Sequence, residues 1–252
     1  MQPELVLGLA AGSMRSASSS GRSIALPILA YHRIGSLDEA GLAESTRRRT
    51  VVPTDFAAQM EWLHRHGFHA ITQLQALEAL ELGIQLPAKP ILITFDGGYR
   101  DVLDYAAPVL ARLRMVATAY VITGRLSGAD PSFLTWEDLP ALERQGVEVG
   151  SHSVTHRDLT VLSDREAAAE LRVSRRDLER RLGHAVPWFA YPYGAADART
   201  VQLVRRAGYE LAVTIRAGRI QSGAAPLELH RVEVLDTTGV AGLASLIGCE
   251  PG

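Results

Sequence analysis

The chain has 252 residues, 47% of them hydrophobic and 21% charged, with a formal net charge of −2. That is enough for one large α/β domain with a substantial core, and it lacks the basic excess of a nucleic-acid binder. Cys249 is the only cysteine, which excludes an intrachain disulfide framework or a cysteine-based zinc site. No run of about 18 apolar residues exists, which excludes an integral membrane helix.

Residues 1–24 read as a flexible leader. A short apolar patch at 5–11 (LVLGLAA) is followed by a Ser-rich stretch. Glu4 stands where a secretory signal would carry basic residues, so there is no clear signal peptide. One domain is expected over 25–240, with a C-terminal tail at 241–252. Within it, residues 24–31 (IALPILAY) read as the first strand. Pro53-Thr54-Asp55 opens a helix whose Phe56, Met60 and Leu63 fall on one face, closed by Gly67. A second helix runs over 74–82. The apolar, β-branched run 90–95 (PILITF) reads as a strand covered on both sides. A helix over 101–113 and a strand over 116–122 follow. Thr135-Trp136-Glu137-Asp138 opens a helix that ends at Gly146, and 147–150 is a strand. Ser163 caps a long helix to residue 182, whose arginines alternate with acids as a solvated face. Strands at 188–191, 211–215 and 232–235, with a helix at 198–207, complete the chain.

Strand and helix alternate six or seven times. This implies a parallel sheet with crossover helices, open or closed as a barrel, with chemistry collected at the C-terminal ends of the strands. The unusual polar residues fall there: Tyr31-His32, Asp96, Ser151-His152 and Tyr191-Pro192-Tyr193 each follow a strand.

Each group has a functional and a plain reading. Asp96, before Gly97 and Gly98, is either a carboxylate held at the sheet edge by a sharp turn or a cap for the next helix. His152 and His156, at i and i+4, would share one face of a helical turn and chelate a cation, although chance pairs at this spacing are common. His64, His66 and His69 read as exposed and inert. The loop Phe189-Ala190-Tyr191-Pro192-Tyr193-Gly194 either aims a backbone N–H at an oxyanion or is an aromatic-lined turn. His32 is a packed core residue or a general acid.

Taken in order, LPILAYHRI, ILITFDGGYRD, VEVGSHSVTHRDL, FAYPYG and RAGYELAVT resemble the NodB-homology polysaccharide deacetylases. The resemblance spans about residues 26–234 and is closest to the branch acting on exopolysaccharides such as poly-N-acetylglucosamine. It implies an irregular (β/α) barrel of about seven parallel strands and a hydrolase that removes acetyl groups from an N-acetylated polysaccharide. It makes Asp96 the catalytic base, His32 the general acid and Tyr193 the source of an oxyanion-binding N–H. His152 and His156 become ligands of a divalent metal, zinc first, with cobalt or nickel as alternatives. A polymeric substrate implies an extracytoplasmic, cell-envelope location. Two positions depart from the pattern. The family's second Asp, a metal ligand, is Gly97 here, with Asp101 as a nearby carboxylate; the Arg that orients the base in the third motif is Ala190. The first departure raises two rivals: a catalytically weakened sugar-binding homologue, and a metal-independent amidohydrolase on the same barrel.

Overall fold

The structure, a computed structural model, describes residues 21–38 and 42–249. Seven parallel strands close into a barrel in chain order: β1 Ile28–Tyr31, β2 Pro90–Gly97, β3 Ala117–Val121, β4 Val147–Ser151, β5 Trp188–Ala190, β6 Leu211–Ala217 and β7 Leu229–Glu233. Pairing of β1 with both β2 and β7 closes the ring. A two-residue strand, His69–Ala70, joins the start of β2.

Helices fill the crossovers: α1 Pro53–Arg65, α2 Gln73–Glu81, α3 Ala107–Leu113, α4 Leu139–Arg144, α5 Asp164–Leu182, α6 Ala198–Arg206 and α7 Val240–Ile247. Four of the starts have a plain local cause. Pro53 supplies the fixed φ of a first turn, while Thr72, Ser163 and Asp197 form reciprocal capping boxes. Strand alternation sorts the core. Ile28, Leu92, Tyr120, Ala190 and Leu229 pack together inside the barrel. Leu29, Ile93, Phe95 and Ala119 belong to the layer shared with α1, α3, α4 and α7. A third cluster seats α5 and α6 on β5 through Leu171, Phe189 and Val204.

Several elements differ from the pattern read from sequence. The first strand divides at Pro27: Ser23–Ala25 pairs antiparallel with Ile220–Ser222, and only Ile28–Tyr31 enters the barrel. Proline offers no N–H to a ladder. Residues 1–20 of the expected leader lie outside the described residues, while Ser23 and Ile24 belong to that outer pair. The helix expected from 101 begins as a π-helical turn over Val102–Ala106. Leu139–Arg144 starts later than expected because Asp138 instead accepts from the Thr135 N–H and hydroxyl, both at 2.8 Å. The expected tail contains α7, which buries Leu243, Ala244 and Ile247. No described helix is long and apolar enough to cross a membrane.

Candidate active site

The inward alternation of β2 that buries Leu92 also turns Thr94 and Asp96 toward the barrel axis. Asp96 therefore stands at the C-terminal mouth, 3% exposed. Its two oxygens accept from Arg231 Nη1 at 2.7 Å and Nη2 at 2.6 Å, a bidentate buried pair. Arg231 is itself fixed: Nε donates to the Thr214 carbonyl at 2.6 Å, and Nη1 to Thr94 Oγ1 at 3.2 Å. Burial alone would raise the Asp96 pKa, but the charge and hydrogen bonds of Arg231 outweigh it and hold the carboxyl well below its usual range. Asp96 is thus an ionised acceptor, and the helix-capping alternative does not describe it.

Arg231 is the site residue that sequence reading missed. The strand expected over 232–235 begins three residues too late and so leaves Arg231 out, whereas β7 covers Leu229–Glu233. An arginine flanked by the apolar residues Leu229 and Val232 was the available signal. Ala190 cannot grip the base, and an arginine two strands away along the barrel, on β7, does so instead.

His152 follows β4 directly and is buried. Its Nδ1 lies 2.8 Å from the Ala190 carbonyl, which only accepts, so Nδ1 carries the proton and Nε2 presents its lone pair. His156 Nε2 is 3.1 Å from His152 Nε2. Two lone pairs do not face each other at that distance, so a proton or a cation belongs between them. Burial lowers the pKa of both rings. His156, further depressed by His152, sits at about 4, so both are neutral at pH 7, the form that ligates metals.

The local geometry corrects the sequence expectation. The pair does not share a face of a helical turn; the segment is an irregular bend in which Ser153 (φ 63°) and His156 (φ 62°) are left-handed. The Ser153 hydroxyl accepts from the His156 N–H at 3.0 Å.

The structure also brings Tyr193 and His32 to this mouth. Tyr193 follows β5 in a turn with φ 58°. The turn's two hydrogen bonds, Gly194 N–H to Tyr191 and Ala195 N–H to Pro192, leave the Tyr193 N–H unused. The Tyr193 ring, 62% exposed, packs 4.6 Å from the His156 ring. His32 leaves β1 beside Asp96; burial first, then the Arg231 and Arg49 charges, hold it at about 4 against the pull of Asp96. Its Nδ1 is buried without a hydrogen-bond partner. Together His32, Asp96, Gly97, His152, His156 and Tyr193 line a cleft of about 240 Å³. His64, His66 and His69 lie away from it, with His66 stacked on Trp62 at 4.1 Å.

Gly97 also faces the cleft, with φ 110°, and a Cβ built there would lie 2.7 Å from Tyr99 Cε2. Asp101 does not take its place. One Asp101 oxygen accepts from Arg33 Nε at 2.9 Å, and the other is buried without a partner. Among the described residues no three His, Cys, Asp or Glu side chains form a group able to hold a metal. The imidazole pair nevertheless fits a cation as two of its ligands: both nitrogens converge, both are neutral, and His152 is oriented by an outer hydrogen bond. The other positions would fall to solvent or substrate.

The closed barrel carries a buried carboxylate and converging imidazoles at its C-terminal mouth, and the comparisons give its family. The sequence profile described as polysaccharide deacetylase matches residues 83–212. YxkH of Bacillus subtilis (strain 168), named for polysaccharide deacetylation, is 31% identical over 219 residues, 87% of this chain and 74% of its own. The poly-beta-1,6-N-acetyl-D-glucosamine N-deacetylase of Staphylococcus epidermidis is 22% identical over 228 residues, 82% of this chain and 78% of its own. The Streptococcus pyogenes deacetylase PplD, solved in complex with acetate, superposes with a TM-score of 0.82 at 27% identity, covering 91% of this chain and all of that one. The chain belongs to the polysaccharide deacetylase family, and the barrel is of the NodB type. Its members are hydrolases.

Proposed function

We propose that the protein hydrolyses acetyl groups from the N-acetylated sugars of a glycan containing N-acetylglucosamine, releasing acetate and a free amine. The observation that carries this reading is the single cleft holding an ionised, Arg231-gripped Asp96, the His152–His156 nitrogen pair and the Tyr193 backbone N–H. In this reading Asp96 accepts a proton from the attacking water. The Tyr193 N–H donates to the developing oxyanion. His32, neutral at rest, takes up the proton that Asp96 has accepted from the water and passes it to the leaving nitrogen, which returns both groups to their starting states. A divalent ion, zinc first and cobalt or nickel as alternatives, would be held by His152 and His156 and would supply charge stabilisation at the carbonyl and a more acidic water. The exposed Tyr193 ring offers an apolar face to a sugar. A polymeric substrate puts the site of action outside the cytoplasm, at the cell envelope.

The test is acetate release from poly-N-acetylglucosamine and from chitin oligomers, with chelator and with added zinc or cobalt. Release that rises with metal supports the reading. The substitution at Gly97 and the engagement of Asp101 by Arg33 favour one alternative, a weakened homologue that binds the glycan without turnover. Binding without acetate under every metal condition would select it, and turnover indifferent to chelator would leave the hydrolase without its cation.

A further inference from the structure

A buried carboxylate outside the cleft holds the histidine turn in shape. Glu170 lies on the second turn of α5 and is 9% exposed. Its Oε2 accepts from the Val154 N–H and the Thr155 N–H, both at 2.9 Å, and its Oε1 from the Thr155 hydroxyl at 2.6 Å. One turn further along, Ser174 accepts from the Ser151 hydroxyl at 2.8 Å. Helix α5 thus meets both the end of β4 and the bend after it with polar side chains at i and i+4.

The bend needs such a hold. Ser153 and His156 both stand in the left-handed region, which L residues occupy at a cost and keep only where the surroundings fix them. The two backbone N–H groups that Glu170 captures lie between those residues. The bend is what brings His156 Nε2 back to 3.1 Å from His152 Nε2; an extended chain would carry position 156 away from the strand end.

We propose that Glu170 is a positioning residue for the His152–His156 pair, keeping the two nitrogens at ligand spacing through the Val154–Thr155 backbone. This rests on reading the pair as a cation site. Glutamine at 170 would turn one acceptor into a donor aimed at other donors, which should open the bend without removing volume.

The test uses the full chain with Glu170→Gln and Thr155→Val. Cobalt affinity is read by absorbance, kcat and KM by acetate release, and backbone order at residues 152–157 by amide hydrogen exchange. Glu170→Gln should weaken cobalt binding by about 10–100-fold, the range seen when outer partners of metal ligands are removed. It should lower kcat with little change in KM, and speed exchange at Val154 and Thr155. Thr155→Val keeps both backbone bonds and should lose less, which preserves a folded reference if the glutamine variant is unstable. In a His156→Ala background Glu170→Gln should have no further effect on cobalt binding. An equal loss in that background, or unchanged exchange at the bend, overturns the proposal. A wild-type protein that releases acetate without binding cobalt would sink the cation reading alone, and kcat and exchange would still decide the role of Glu170.

Discussion

The two halves of the cleft are built on opposite principles. On the β2–β7 side, Asp96 and Arg231 form a pair that is almost wholly removed from water and cross-braced by Thr94 and Thr214. On the β4 side, two neutral imidazoles sit on a bend with two left-handed residues, and the neighbouring position able to supply a carboxylate is Gly97. The first half is fixed by its own charges. The second is fixed by hydrogen bonds from outside. In the proposed reading, proton abstraction is therefore preorganised in the fold, whereas cation binding is the adjustable part.

If that contrast holds, the largest effect belongs to the rigid half. Asp96→Asn should lower acetate release by about 10²–10⁴-fold, the usual worth of a general base. It also leaves Arg231 buried without a counter-charge, so thermal unfolding should show a loss of up to about 3–5 kcal/mol. An Asn variant with wild-type turnover would remove Asp96 from the chemistry altogether. Next comes the adjustable half: His156→Ala should cost more cobalt or zinc affinity than any outer-shell change, about 100-fold or more, measured by titration of the metal alone. Wild-type affinity in that variant would mean that the pair is not a cation site.

Arg231→Gln sharpens the comparison through pH. In the wild type Asp96 stays ionised far into acid, because Arg231 outweighs burial. Without the guanidinium, burial dominates and the carboxyl pKa rises. The acid limb of the kcat profile should then move up by at least about one unit, with activity recovering as pH increases. An unmoved limb would show that Asp96 is not the group that titrates in turnover.

Much of this is legible in the sequence. Strand-end polar residues pointed to the barrel mouth because the run 90–95 is apolar and leads into Asp96 and two glycines, and because His152 comes directly after β4. The alternation of buried Leu92 with Thr94 and Asp96 needed only the two-residue strand period. What stayed hidden depended on contacts between distant segments. Nothing in FAYPYG says that the arginine missing at Ala190 is supplied from β7. The i, i+4 spacing of His152 and His156 suggested a helix, since left-handed backbone at Ser153 and His156 leaves no mark in a string of ordinary residues. Nor does the sequence show that Asp101 is held by Arg33, 68 positions away.

The smallest effect concerns stability in acid and separates the halves once more. His32 is held at about 4 in the folded chain, against an ordinary value near 6.5. Between those values the unfolded chain binds a proton that the folded chain refuses. Stability should therefore fall as pH drops from about 6.5 toward 4 and level off below, because both states are then protonated. His32→Gln should make this part of the curve less steep without making it flat, because His152 and His156, whose pKa values burial also lowers, lose stability in the same window. Asp96 works in the opposite sense to a buried neutral base: its depressed pKa keeps the pair with Arg231 charged through this whole window, so its stabilisation should persist until lower pH. A His32→Gln curve parallel to that of the wild type from pH 7 to 4.5 would mean that His32 is open enough to water to titrate normally.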